Sequence, residues 1–128
     1  MTNRPILPPG PDHPITIEPN SRRVQVRAGD TLIADTANAL TLSEADYQPV
    51  QYVPRDDVDM ARLRRSTHAS YCPYKGEAAY FDIIELGDQG ENAVWTYERP
   101  HAAVQEIAEH LAFYPSKASI VEEARETA

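Results

Sequence analysis

Residues 78–97 read AAYFDIIELGDQGENAVWTY, and this stretch decides the fold class. Residues 78–86 and 92–97 are rich in aromatic and β-branched side chains, which favour strands. The four residues between them, Gly-Asp-Gln-Gly, have the composition of a turn. The stretch therefore predicts an antiparallel hairpin. Trp95 and Tyr97 should face the same side of the sheet because side chains alternate along a strand.

The N-terminal half carries the same strand signature. Ile15 and Ile17 alternate with polar residues, and so do Val24 and Val26. A period of two is typical of half-buried antiparallel strands. Further strands are predicted over three short segments, the last of them short or at a sheet edge because prolines flank it: residues 32–35, 39–42 and 50–53.

The C-terminal part predicts one substantial helix, over residues 101–113. Pro100 suits its first turn, and Pro115 ends it. Five apolar residues at helical spacing form a single stripe: Val104, Ile107, Ala108, Leu111 and Ala112. The fold class that follows is mainly antiparallel β, with this one helix packed on a sheet.

The chain has 128 residues, enough for a single domain. Residues 1–14 hold five prolines and predict an extended, mostly disordered arm. Residues 15–116 form the expected globular domain, and residues 117–128 are expected to be a loosely held tail. No stretch has the apolar run of a signal peptide or of a membrane span, which predicts a cytoplasmic location.

The charge balance narrows the class of partner. A formal net charge of −8 argues against nucleic acid and anionic membranes, because both need a basic surface. A single cysteine excludes an internal disulfide and a four-cysteine zinc site, and the four histidines lack ligand spacing, so neither a metal nor a cofactor is indicated. Residues 55–75 nevertheless carry more basic than acidic groups. This local excess suits a small anionic ligand, or else marks a solvated face of paired charges.

Residues 67–80 read THASYCPYKGEAAY and concentrate chemically useful side chains. A thiol becomes a nucleophile at neutral pH beside a base or a cation, and His68 and Lys75 flank Cys72 on either side. The alternative is a buried Cys72 that fills a gap in the core. Lys75 is placed to reach an anion, and Gly76 should serve a tight turn or a bulge before the next strand.

Asp57 and Asp59 form a second candidate pair. Two carboxylates two residues apart on a strand point the same way and can share a magnesium ion, as in nucleotidyltransferases. Those enzymes also use an upstream Gly-Ser turn that is missing here, and the surrounding segment is too polar for a core strand. The pattern favours a solvated acidic turn.

The spacing of several motifs resembles one known family, the domain of unknown function DUF427. The resemblance runs from Val24 to Ser116 and rests on five motifs: YVPRDDV at 52–58, His68, CPYKGEAAY at 72–80, AVWTY at 93–97 and AFYP at 112–115. It implies a small bacterial, cytoplasmic domain that carries a nucleotidyltransferase label without an established reaction. It also implies a β-tent-like fold, in which two antiparallel sheets meet at an angle. Zinc-binding relatives of that fold use paired CxxC motifs, which this chain lacks.

Three functions follow from these observations. The first is a domain that binds, or acts on, a small anionic molecule. In it, Arg55 and Lys75 hold the anion, His68 is the acid or base, and aromatic side chains form the walls. The candidate site comprises six residues: Tyr52, Arg55, His68, Cys72, Lys75 and Trp95. The alternatives are a non-catalytic interaction or structural module, in which the motif only builds the fold, and metal-dependent nucleotidyl transfer by the paired aspartates.

Overall fold

The alternating segments become ten strands in the computed structural model, which describes residues 4–123. The strands are β1 (Ile15–Pro19), β2 (Arg23–Ala28), β3 (Thr31–Thr36), β4 (Leu40–Glu44), β5 (Val50–Pro54), β6 (Leu63–Cys72), β7 (Gly76–Ile83), β8 (Val94–Thr96), β9 (His110–Phe113) and β10 (Ser119–Glu123). The helical segments described are short 3₁₀ helices: Arg55–Asp57, Met60–Arg62, Ile84–Gly90 and Ala102–Ile107. Within residues 4–123 no helix is long and apolar enough to cross a membrane.

The strands form two antiparallel sheets. The larger sheet has the order β1-β4-β5-β9-β8-β7-β6, and the smaller has the order β10-β2-β3. Every strand pair in both sheets is antiparallel. The expected class, mainly antiparallel β with two sheets, is confirmed. The predicted hairpin is also confirmed, because β7 pairs with β8 and the turn residues between them form the third 3₁₀ helix.

The main hydrophobic core lies between the two sheets. Val26 and Ile33 from the small sheet meet Phe81, Leu111 and Phe113 from the large one, and all five are at most 4% exposed. The opposite face of the large sheet carries a second cluster, whose buried members include Leu42, Tyr52, Tyr80, Tyr97, Val104, Ile107 and Ala112. The large sheet is therefore apolar on both faces, and this is why its central strands read as nearly continuous apolar runs.

The helix predicted over residues 101–113 is wrong. Residues 102–107 form a 3₁₀ helix that buries Val104 and Ile107, and Glu109 then takes a φ of +59°. Residues 110–113 form β9, which fills the gap between β5 and β8. Leu111 and Phe113 point into the core while Ala112 packs on the opposite face. A helix buries one stripe, whereas a central strand buries both faces, so strand pairing overrides the local 3.6-residue period.

Within residues 4–123, the segments next to both ends of the described range make specific contacts with the domain. Residues 119–123, expected to be part of a loose tail, form β10 and pair with β2 along their whole length. The N-terminal arm, expected to be mostly disordered, makes specific contacts from Arg4 onward; for example, the Leu7 amide donates to the Pro73 carbonyl at 3.0 Å. Residues 1–3 and 124–128 lie outside the described part. The strand at 50–53 is short as expected but central, because β9 pairs with it on the side away from β4.

Candidate functional site

The CPYKG motif forms the turn that joins β6 to β7. Cys72 pairs with Gly76 at the end of the ladder, and the Lys75 amide donates to the Cys72 carbonyl at 3.2 Å. Gly76 has a φ of +115°, which L side chains rarely adopt, so the predicted turn role of this glycine is confirmed. The Lys75 carbonyl accepts a hydrogen bond from the His101 amide at 2.9 Å, which fixes the turn on the segment after β8.

Three titratable side chains meet beside this turn; we call His13, Glu44 and Lys75 the Glu44 cluster. Lys75 Nζ donates to Glu44 Oε1, and His13 Nε2 lies 2.7 Å from Glu44 Oε2. Each carboxylate oxygen therefore has its own partner. The Lys75 and Glu44 side chains are only 11% and 10% exposed, so the ion pair is almost fully removed from water.

Burial and hydrogen bonding act in opposite directions on the Glu44 carboxyl. Burial alone would raise its pKa, but the hydrogen bonds from Lys75 and His13, together with their charges, outweigh burial and lower the pKa below its ordinary value. Glu44 is therefore ionised at neutral pH. A carboxyl group perturbed in this way inside a cavity is typical of functional sites, and structural ion pairs share the property.

The Glu44 cluster borders a cavity of about 450 Å³ on the face of the large sheet that carries the second apolar cluster. Five of the chain's eight tyrosine and tryptophan residues line it: Tyr47, Tyr52, Tyr74, Trp95 and Tyr97. Leu42, Val50 and Cys72 contribute to the same wall. A cavity of this size, mostly apolar and with a few polar groups at fixed positions, is typical of small-molecule sites.

Tyr52 and Trp95 hold each other in place within this wall. Trp95 Nε1 donates to Tyr52 Oη at 3.2 Å, and the two rings meet edge to face with their centroids 6.3 Å apart. Burial raises the pKa of both Tyr52 and Tyr97 well above the ordinary value for tyrosine. Both hydroxyl groups therefore stay neutral at physiological pH and keep their protons for donation.

The structure brings four of the six candidate residues together, because Tyr52, Cys72, Lys75 and Trp95 all line this cavity. Arg55 lies elsewhere. It follows β5 at the start of a 3₁₀ helix, and its guanidinium group lies 3.8 Å from Glu98 and 3.7 Å from Glu109. Arg55 therefore belongs to a surface ion-pair network and not to the wall of the cavity.

His68 is also separated from Lys75, so the expectation that the two share a pocket is wrong. His68 is exposed on β6, with its ring 4.5 Å from that of Tyr80, and it lines a different cavity, of about 540 Å³. In an extended strand, residues four positions apart lie about 13 Å from each other, so His68 is far from Cys72. Residues 69–72 pair with β7 one by one, and His68 lies just before them, in the stretch between Arg65 and Ala69 where the register of the two strands shifts.

Asp57 and Asp59 occupy two separate local structures. Asp57 Oδ2 accepts a hydrogen bond from Thr36 Oγ1 at 2.7 Å, and Asp59 Oδ2 accepts one from Arg62 Nε at 3.0 Å. Val58, between them, forms an isolated bridge with Ala34. Each carboxylate thus has a structural partner of its own.

Residues 16–124 match the family described as a domain of unknown function, DUF427, whose short label is NTP_transf_9. The chain belongs to the DUF427 family. The comparison with curated proteins returned no match for this DUF427 domain.

Sequence reasoning missed five residues of the site in this DUF427 domain: His13, Glu44, Tyr47, Tyr74 and Tyr97 were not among its candidates. One signal was present for Glu44. Leu40, Leu42 and Glu44 share one face of β4, and a carboxylate in line with two core leucines must have a buried partner. His13 carried no such signal, because nothing local to a proline-rich arm shows what the arm packs against.

Proposed function

We propose that this DUF427 domain binds a small planar organic anion in the aromatic cavity. The proposal depends on one observation: the Lys75 side chain lies at the edge of a cavity that is lined by five tyrosine and tryptophan side chains. An ammonium group has three donors, and Lys75 uses one of them on Glu44. The remaining N–H groups are available to a carboxylate or phosphate that enters the cavity.

The rest of the cavity suits the body of such a ligand. Trp95 and Tyr97 line the cavity, and aromatic pairs favour offset or edge-to-face contact with another ring. The neutral hydroxyl groups of Tyr52 and Tyr97 can donate to an acceptor. Cys72 contributes to the wall and fills space there, and the proposal assigns it no chemical step.

A structural role of the motif is the second candidate, and one observation favours it. Lys75 is 9% exposed as a residue and is already paired with Glu44, which is the arrangement expected if the CPYKG turn only closes the fold. The nucleotidyl-transfer alternative depended on Asp57 and Asp59, whose carboxylates are engaged by Thr36 and Arg62. An experiment therefore needs to separate ligand binding from architecture.

Trp95 is the chain's single tryptophan, so its fluorescence reports on the cavity directly. We expect benzoate, indole-3-acetate and phenyl phosphate to change the Trp95 emission saturably, and the neutral analogue benzamide to bind at least about tenfold more weakly. Lys117→Met is the matched control, because Lys117 is the chain's other lysine and lies outside the cavity wall.

Lys75→Met should abolish the preference for anions. Because this change leaves Glu44 buried with one fewer partner, the double variant Glu44→Gln with Lys75→Met provides a second test that removes both charges. If no anion in the panel binds, or if anions bind the double variant as well as they bind the wild type, the proposal is wrong and the structural role stands.

A further inference from the structure

The N-terminal arm is attached to the domain at two places, and the first is beside the outer end of the β6–β7 hairpin. Arg4 pairs with Glu77 at 2.6 Å, and its guanidinium group lies 4.8 Å from the centroid of the Tyr71 ring. The Tyr71 hydroxyl group donates to the Pro5 carbonyl at 2.7 Å. The Leu7 amide completes this attachment through the carbonyl of Pro73 in the CPYKG turn.

The second attachment is at the cavity itself. Gly10 and His13 exchange two backbone hydrogen bonds, which turn the chain so that the His13 side chain enters the cavity wall. The His13 ring stacks on Tyr74, with the centroids 3.8 Å apart and the planes 9° from parallel. Its Nε2 atom contacts Glu44 Oε2, as described above. The arm thus supplies one of the three members of the Glu44 cluster.

The contacts that hold the arm differ in kind from those that hold the core. Ile6 is 66% exposed and Leu7 is 44% exposed, so the arm's larger apolar side chains are not its main attachment. The Arg4–Glu77 pair is also largely exposed, and exposed pairs are individually weak. An attachment made of polar contacts and one ring stack can open without unfolding the sheets.

We propose that residues 4–13 act as a displaceable strap that completes the binding site: His13 is a further ligand-binding residue, and the Arg4 attachment keeps it in place. The inference rests on the proposed function, because the anion that Lys75 holds would also contact His13. A strap of this kind lets the ligand enter when it lifts and slows dissociation when it closes. Affinity then depends on residues that never touch the ligand.

Quenching of Trp95 fluorescence tests the strap without any ligand. Acrylamide is a neutral quencher, and its access to Trp95 should rise by about twofold in Arg4→Gln and in His13→Ala, because both changes favour the open strap. Arg22→Gln is the control for Arg4→Gln, since Arg22 is exposed in the loop before β2 and lies outside the cavity wall. The thermal midpoint of Arg4→Gln should equal that of Arg22→Gln within about 2 °C.

Benzoate then tests the role in binding. Arg4→Gln should weaken benzoate binding by at least about threefold, mainly through faster dissociation, whereas Arg22→Gln should leave binding unchanged. The inference is wrong if acrylamide quenching is the same in Arg4→Gln, His13→Ala and the wild type. If benzoate binds the wild type and Arg4→Gln equally, the strap role in binding fails while the proposed function stands. If benzoate binds neither, the proposed function fails and the quenching result alone decides whether the strap opens.

Discussion

Glu44 and Lys75 are hydrogen-bonded although their strands are far apart in the sheet. Glu44 ends β4, the second strand of the large sheet, and Lys75 precedes β7, the sixth. Four strand spacings in a flat sheet are about 19 Å, more than two side chains can bridge. The sheet must therefore curve so that the end of β4 approaches the turn before β7, and the cavity lies within this curve. The ion pair thus reports on the shape of the whole sheet.

Breaking that pair should be costly, and removing both charges less so. We expect Lys75→Met to lower the free energy of unfolding by about 3 kcal/mol, because it leaves a buried carboxylate with one partner fewer. The double variant Glu44→Gln with Lys75→Met should lose at least about 1 kcal/mol less than the sum of the single variants. Urea denaturation at pH 7 measures all three. Glu77→Gln, in an exposed pair with Arg4, should change stability by less than about 1 kcal/mol.

The lowered pKa of Glu44 makes its contribution to stability dependent on pH. Because the pKa is lower in the folded than in the unfolded state, the stabilisation is present above the ordinary pKa of about 4.3 and is lost as pH falls through the lower folded value. The thermal midpoint of the wild type should therefore fall more steeply below pH 4.3 than that of Glu44→Gln. Parallel curves for the two proteins down to pH 3 would show that Glu44 is not the group responsible.

Gly76 should resist substitution for a reason that lies in its own backbone. A Cβ atom there would meet its nearest neighbours at about 3.5 Å, an ordinary contact, so space is not the obstacle. The φ of +115° is the obstacle, and Gly76→Ala should cost about 1–3 kcal/mol. Thermal or urea unfolding measures the loss. Gly10→Ala is a suitable control, because its Cβ would meet nothing within 4 Å and its φ is not positive; a similar loss in both variants would contradict the explanation.

Strand β9 predicts a specific pattern of hydrogen exchange. Leu111 pairs with Val53 of β5 on one side and with Thr96 of β8 on the other, so its amide group should exchange among the slowest in the protein. Ala102 and Gln105, in the preceding 3₁₀ helix, should exchange much faster because that helix is short and both residues are exposed. Nuclear magnetic resonance of the protein transferred into D₂O gives the rates residue by residue. Uniform protection over residues 102–113 would instead indicate the continuous helix that the sequence period favours.

Much of the fold could be predicted from local patterns, and the errors share one cause. The segments with clean alternation, such as Val24 and Val26, became strands as expected. Residues 104–112 have apolar residues at helical spacing, but Leu111, Ala112 and Phe113 are buried in succession, as in a central strand that is covered on both faces. Strand β6 was missed because its side chains are mostly exposed, so that it lacks an apolar period.

Only the part of the site that is contiguous in sequence could be predicted. The CPYKG turn and its lysine were identifiable, because proline and glycine close together in sequence mark a tight turn. The partners of Lys75 were not, since Glu44 and His13 come from segments 31 and 62 residues earlier in the chain and meet it only when the sheet curves. His68 was misplaced for the converse reason: proximity in sequence was taken for proximity in space, and an extended strand separates the two.

Because β9 lies between β5 and β8, the two halves of the large sheet cannot join until residues 110–113 have been synthesised. During synthesis, β1, β4 and β5 leave the ribosome as one unit and β6, β7 and β8 as another, and neither unit pairs with the other directly. Until then, each unit has a strand edge whose backbone groups are unpaired. Such edges can pair with the edges of other nascent chains. A late, four-residue segment thus controls when the domain is assembled.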